Sequence, residues 1–191
     1  LGKNYRTDLA VQANVKQTLA ALLPLLRARR SAGHAAAAGK RLAELRSRNW
    51  SAQRDKACIE AMLAAETAPI DPRYLMLRFT EALPKDAVVV EEGLTSTLSL
   101  PGFLPLRDPR GFYGLASGGL GCAGPGAIGV SLALPGRPVA VVVGDGSTMY
   151  GVQALWTAAH LKLPITYIIA NNRSYRIIKE RLVAFRGTSR F

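Results

Sequence analysis

Two apolar runs constrain this chain more than anything else in it: Val139 to Val143 and Ile165 to Ala170, both β-branched and both of the length of a buried parallel strand. A polar word follows each at once, Gly144-Asp145-Gly146-Ser147 after the first and Asn171-Asn172-Arg173-Ser174 after the second. Between them Val152, Leu155, Trp156 and Ala159 recur at i, i+3, i+4 and i+7. That spacing predicts a helix laying this apolar face on a sheet, and Leu163-Pro164 stops it. Strand, helix and strand in that order make a right-handed crossover, so the fold class is α/β with a doubly wound parallel sheet. A third run, Ala87 to Val90, adds a strand, and before it Asp71 to Leu83 reads as a helix with Leu75, Phe79 and Leu83 on one stripe.

Both polar words stand at strand carboxyl ends, the ligand-binding edge of an open parallel sheet. Adjacent strands lie ~4.8 Å apart, so Asp145 and Asn172 can converge on one small ion. A carboxylate, a carboxamide oxygen and a main-chain carbonyl are hard oxygen donors that suit Mg²⁺, or Ca²⁺, and not zinc or copper. With one protein carboxylate, Mg²⁺ completes its shell with water and phosphate oxygens, which implies a phosphorylated partner. Gly144 and Gly146 let the backbone approach closely, and the start of the following helix offers N–H groups to an anion. The expected ligand is a diphosphate with its metal.

Gly144-Asp145-Gly146-Ser147, the helix containing Ala154-Leu155-Trp156-Thr157-Ala158-Ala159, and Asn171-Asn172 together resemble the cofactor motif of the pyruvate-decarboxylase and acetolactate-synthase superfamily of thiamin-diphosphate enzymes. The similarity is greatest to the benzoylformate decarboxylases and runs from about Val88 onward, Gly118-Gly119-Leu120-Gly121 included. The resemblance implies Asp145, the Asn172 side chain and the main-chain oxygen of Ser174 as metal ligands. It implies Gly144, Gly146 and Ser147 against the diphosphate, Thr95 near the far phosphate, and the Gly118 carbonyl on the aminopyrimidine. Leu120 would be the wedge that folds the cofactor into a V, with Tyr175 near the cofactor and Ile177 near the substrate pocket. The activity implied is a lyase's decarboxylation of a 2-oxo acid, or acetolactate-type carboligation on the same site, in a homodimer or homotetramer. The cofactor stores the electron pair left when CO₂ departs. The activating glutamate and proton-shuttling histidines of such enzymes match nothing here, so no catalytic residue is assigned.

By the same resemblance, residues 1–30 correspond to the end of a middle domain, 31–66 to a basic linker, and 67–191 to the front part of a diphosphate-binding domain, so the chain reads as a fragment. Its start has no apolar h-region and no Met. From Asp8, placed as an N-cap, to Leu26, apolar residues recur at helical spacing. Arg27 to Lys56 holds nine Lys or Arg against Glu44 and Asp55, around a small-residue run from Ser31 to Gly39, and reads as a solvated connector.

The net charge of +12 allows an anionic partner of some kind. Nucleic acid is disfavoured, because Trp50 is the one aromatic in the basic stretch. A membrane span is disfavoured too: the uncharged stretch from Gly111 to Gly136 holds nine Gly and two Pro. Cys58 and Cys122 form no disulfide framework, and a reducing cytosol is the expected compartment. Gly119 to Gly124 spells G-x-G-x-x-G, but Phe112 to Ser117 shows no strand pattern before it and Pro125 follows, so a dinucleotide site is not expected. Cys122 reads as a packing residue, and His34 and His160 as surface residues. Glu91-Glu92, ending a strand at the ligand edge, either orients a group or is structural.

Overall fold

The structure, a computed structural model, describes residues 6–115 and 118–187. The opening residues 1–5, the final residues 188–191, and Ala116 and Ser117 of the stretch expected to lack strand pattern lie outside the described residues. The chain divides into two compact units, Leu1–Ala52 and Gln53–Phe191.

In the first unit, α1 spans Val15–Ala28 and α2 spans Ala32–Arg46. The helix expected from Asp8 starts later, because Asn14 caps it: its side chain accepts from Gln17 N at 3.1 Å, whereas Asp8 pairs with Arg6 at 3.9 Å. The expected solvated connector is helical as well. Ser31 caps α2 by accepting from His34 N at 3.2 Å, and the alanines behind it are the strongest helix formers.

The helix α3 (Trp50–Met62) begins in the last three residues of the first unit, and in the second unit it ends by burying Ala61, with Ala57 and Cys58 packed beside it. The next helix, α4 (Pro72–Ala82), starts as the sequence predicts, on Asp71 followed by proline at N1. Asp71 Oδ1 accepts from Arg73 N at 2.8 Å, and the Arg73 guanidinium closes on the same carboxylate at 2.8 Å. The Arg73 side-chain bond above all pulls the Asp71 carboxyl down to about 2. A depressed carboxyl stabilises the fold above its unfolded pKa and loses that contribution as pH falls through the folded value. Asp71→Ala should therefore cost about 1 kcal/mol near neutrality, a typical N-cap loss. The difference from wild type should shrink as pH drops from about 4 toward 2, which urea unfolding at a series of pH values reads directly.

The sheet follows: β1 (Val88–Glu92), a one-turn 3₁₀ helix (Leu94–Ser96), α5 (Leu100–Phe103), β2 (Phe112–Gly114), α6 (Ala123–Ala133), β3 (Val139–Gly144), α7 (Asp145–Met149), α8 (Gln153–His160), β4 (Ile165–Ala170) and α9 (Arg176–Arg186). The strands are all parallel in the order β2-β1-β3-β4. Here the expectation of no strand in Phe112 to Ser117 is corrected. Three residues, held to β1 in the register Val89↔Phe112, form an edge strand too short to show a period.

Strand alternation splits the apolar residues between two cores. Val89, Ala140 and Val142 face α3, α4 and α5, where Met76, Leu77, Leu100 and Phe103 are buried. Val88, Val90, Val139, Val141 and Val143 face α6, against Ala123 and Ala127. Both faces of β1 and β3 are covered, as a doubly wound sheet requires, whereas β4, expected as a buried strand, lies at the sheet edge with Ile169 exposed and Ala170 as its one buried residue.

The expected apolar face of α8 is overturned. Trp156 is 67% exposed and stacks on His160, ring centroids 4.8 Å apart, while Ala154 and Ala158 are the buried pair. A Cβ added at Gly124 of α6 would lie 3.3 Å from Ala154 Cβ. The two helices approach too closely for large side chains between them, so alanines fill the contact.

Candidate functional site

Four loops meet at the carboxyl edge of the sheet. The chain leaves β1 toward β2 and returns across β1 to β3, so the strand order reverses between β1 and β3, where a ligand crevice is expected. The ladder pairs Glu92 with Val143 and Gly144 with Ala170. Gly93, Asp145 and Asn171 therefore begin their loops just past matching rungs.

The turn after β4 is built from consecutive Asx turns. Asn171 Oδ1 accepts from Arg173 N at 3.1 Å, and Asn172 Oδ1 accepts from Ser174 N at 2.9 Å. Arg173 takes φ 52 to close it. The same Arg173 N–H also reaches Asp145 Oδ2 at 3.1 Å, which ties the loop after β3 to the loop after β4. Asp145 and the 171–174 turn thus share one small volume. Asn172 Oδ1 keeps a second lone pair, and Asp145 Oδ1 has no hydrogen bond described. Among the described residues no three His, Cys, Asp or Glu gather at one point, so an ion held here draws on amide and main-chain oxygens besides the one carboxylate. That donor set suits Mg²⁺.

Tyr175 lies over Gly146: a Cβ there would come within 2.8 Å of its ring. Ser147 is buried, Ile177 half-buried in the first turn of α9, and Thr148 Oγ1 donates to Gly144 O at 2.8 Å. The start of α7 receives no side-chain cap. Thr95 is half-buried in the 3₁₀ turn, which packs against β3 and α9.

The glycine loop approaches from the other side. Gly118 is exposed with φ +75 and Gly121 has φ +86, conformations that favour glycine. A Cβ on Gly121 would come within 2.5 Å of Tyr150, and one on Gly151 within 3.1 Å of Gly121 O, so this loop lies against the end of α7. Leu120, half-buried, lines a cleft of about 610 Å³ with Glu91, Tyr113, Cys122 and Val130. Asn172 opens instead onto a cleft of about 1010 Å³ with Asp71, Ser96 and Arg176. The named residues thus ring the edge rather than line one cavity.

Both glutamates of the pair are engaged by donors of the protein itself. Glu91 accepts from Gly93 N at 2.9 Å and from the Thr97 hydroxyl. Glu92, fully buried, accepts from Gly121 N at 2.6 Å and Ala123 N at 2.7 Å, with Cys122 Sγ 3.4 Å away. Cys122, expected as a packing residue, is instead exposed; partial desolvation of its sulfur first, then this carboxylate, pushes the thiol upward. Glu92 also bears on the G-x-G-x-x-G reading. A short strand does precede that motif, but the amide donors at the start of α6 already hold a protein carboxylate where a dinucleotide would place its pyrophosphate. Arg173 was missed as a contributor to the edge, and Glu92 was singled out there without its partners; the paired asparagines were the one sequence signal for the tight turn that aims the Arg173 N–H.

Known proteins resemble this chain in sequence and in structure. The family model described as thiamine pyrophosphate enzyme, C-terminal TPP binding domain, matches residues 95–191. Benzoylformate decarboxylase of Pseudomonas aeruginosa is 35% identical over 117 residues, 61% of this chain and 22% of that protein. Acetolactate synthase isozyme 1 large subunit of Escherichia coli is 30% identical over 189 residues, 97% of this chain and 31% of that protein. Among solved structures, a thiamine diphosphate-dependent 4-hydroxybenzoylformate decarboxylase of Rhodococcus jostii is similar with a TM-score of 0.61 at 35% identity, covering 64% of this chain and 23% of that one. Benzoylformate decarboxylase from Polynucleobacter necessarius gives 0.60 at 31%, covering 63% and 23%. The chain therefore spans between about a fifth and a third of these two curated relatives. No helix among the described residues is long and apolar enough to cross a membrane.

Proposed function

This chain belongs to the thiamine pyrophosphate enzymes, whose C-terminal TPP-binding domain it carries, and from that premise we propose that it holds the diphosphate end of thiamin diphosphate through one Mg²⁺ in an enzyme that decarboxylates a 2-oxo acid. The supporting observation is the 3.1 Å bond from Arg173 N to Asp145 Oδ2, which joins the loop that carries Asp145 to the turn that carries Asn172 and Ser174.

In this reading Asp145, Asn172 Oδ1 and the main-chain oxygen of Ser174 hold the ion, and Gly144, Gly146 and Ser147 border the diphosphate. Thr95 offers a hydroxyl toward the far phosphate, the Gly118 carbonyl accepts from the aminopyrimidine, and Leu120 props the rings apart. Tyr175 walls the cofactor side by covering Gly146, and Ile177 faces the substrate pocket. The cofactor, when bound, supplies an electron sink for the pair released with CO₂. The protein's share is to bind, orient and keep water out. Residues 67–191 act as the diphosphate-binding domain, working in a homodimer or homotetramer in the cytoplasm.

The decarboxylase branch is favoured because the structural relatives with TM-scores of 0.60 and 0.61 are both benzoylformate-type decarboxylases. Acetolactate-type carboligation is the second reading, since the Escherichia coli synthase matches nearly the whole chain, α1 to α3 included. Products separate the two in the intact enzyme supplied with Mg²⁺ and thiamin diphosphate. Release of CO₂ from benzoylformate, with an aldehyde formed and no acetolactate from pyruvate, is the result expected. Acetolactate from pyruvate and an inert benzoylformate would overturn it. Binding that survives a chelator and falls steeply with salt would point to a nucleic-acid module instead.

A further inference from the structure

Glu92 is set apart by its position. It is a carboxylate with no solvent exposure, and both of its oxygens are committed to main-chain donors about thirty residues further along the chain. Strand parity explains how it gets there: Val88, Val90 and Glu92 point to the same face of β1, and the first two pack on α6. Glu92 then meets the residues that lead into α6. The bonds at 2.6 and 2.7 Å are short and charge-assisted, among the strongest a protein makes with its own backbone. The second wall is Tyr150, against which Gly121 is pressed so closely that no Cβ fits. Gly121 is thus clamped between the end of β1 and the end of α7.

We propose that Glu92 is a positioning residue: it fixes the height and orientation of the Gly118 to Leu120 loop, and through it the ring end of the cofactor site. This rests on the reading that Gly118 and Leu120 serve the cofactor's rings while the Asp145 and Asn172 loops serve its diphosphate. The two halves of the site then rest on different hydrogen bonds. Glu92 lies under one of them, and no hydrogen bond described for Glu92 reaches the other. A carboxamide in its place has one acceptor oxygen for two N–H donors and turns its own NH₂ against the second, so the loop must shift.

The test compares two ligands on the full chain with Mg²⁺ present: thiamin diphosphate, and inorganic pyrophosphate as a probe of the diphosphate half alone. Glu92→Gln should weaken thiamin diphosphate by about tenfold to a hundredfold, the scale of a displaced positioning shell. Pyrophosphate should bind within about twofold of wild type, because the metal loops are untouched. Amide exchange at Gly121 and Ala123 should speed up without any cofactor present. Glu92→Asp keeps both acceptor oxygens on a shorter stem and should give the same split between ligands, at smaller size, if Glu92→Gln fails to fold. Equal weakening of both ligands, or of neither, in a folded variant would overturn the assignment of Glu92 while leaving the site reading intact. Wild-type chain that binds neither ligand with Mg²⁺ would instead overturn the site reading, and this inference with it.

Discussion

Asp145→Ala should reduce Mg²⁺-dependent binding of thiamin diphosphate by about a hundredfold or more, roughly 3 kcal/mol, while the fold survives. Asp145 supplies the one carboxylate among the three proposed ligands, and a divalent ion that loses its charged ligand is left to two neutral oxygens and water. Structurally the residue does little else. It is half-buried and accepts a single described hydrogen bond, from Arg173 N, whose removal costs about 1 kcal/mol at most because Asn171 accepts from the same N–H. Titration calorimetry on wild type and variant, each with Mg²⁺ and with chelator, reads the difference. Asp145→Asn, which keeps the oxygen and removes the charge, should fall between them.

The second large effect belongs to the core. Phe103→Ala should destabilise the sheet-bearing unit by about 3–5 kcal/mol, the usual cost of emptying a buried phenyl site. Phe103 is 2% exposed and packs with Leu100, Met76 and Leu77 under the face made by Val89 and Val142. Its carbonyl also accepts from Arg54 Nε at 3.1 Å, so relaxation of α5 into the cavity disturbs a polar contact as well. Total stabilities of about 5–15 kcal/mol make this a large fraction, visible as a lower urea midpoint at unchanged slope. Leu98→Ala, at a side chain 77% exposed, should stay within about 0.5 kcal/mol and serves as the control.

The parallel strands and the polar words at their ends were legible because a buried strand must be apolar throughout and a ligand loop must start where the strand stops. The helix α4 was legible for a similar local reason, the stripe of Leu75, Phe79 and Leu83. Other features depended on partners that sequence order conceals. Phe112 to Gly114 is a strand only because β1 supplies its hydrogen bonds. The buried face of α8 is set by how closely α6 approaches, which selects Ala154 and Ala158 over the larger Trp156. The run from Ser31 to Gly39 was read as loose because its residues are small, yet alanine is the best helix former and Ser31 a good cap. At the site, the convergence of Asp145 with Asn171-Asn172 followed from strand adjacency alone, whereas the Glu92 clamp on Gly121 followed from nothing local.

The central claim is that one divalent ion sits between Asp145 and the 171–174 turn and carries the diphosphate. Mn²⁺ in place of Mg²⁺ makes that ion visible to electron–nuclear double resonance. With thiamin diphosphate added, the wild-type chain should show phosphorus hyperfine coupling to the bound Mn²⁺, and Asp145→Ala should lose both the bound ion and the coupling. A bound Mn²⁺ without phosphorus coupling, or the same coupling in Asp145→Ala, would contradict the account.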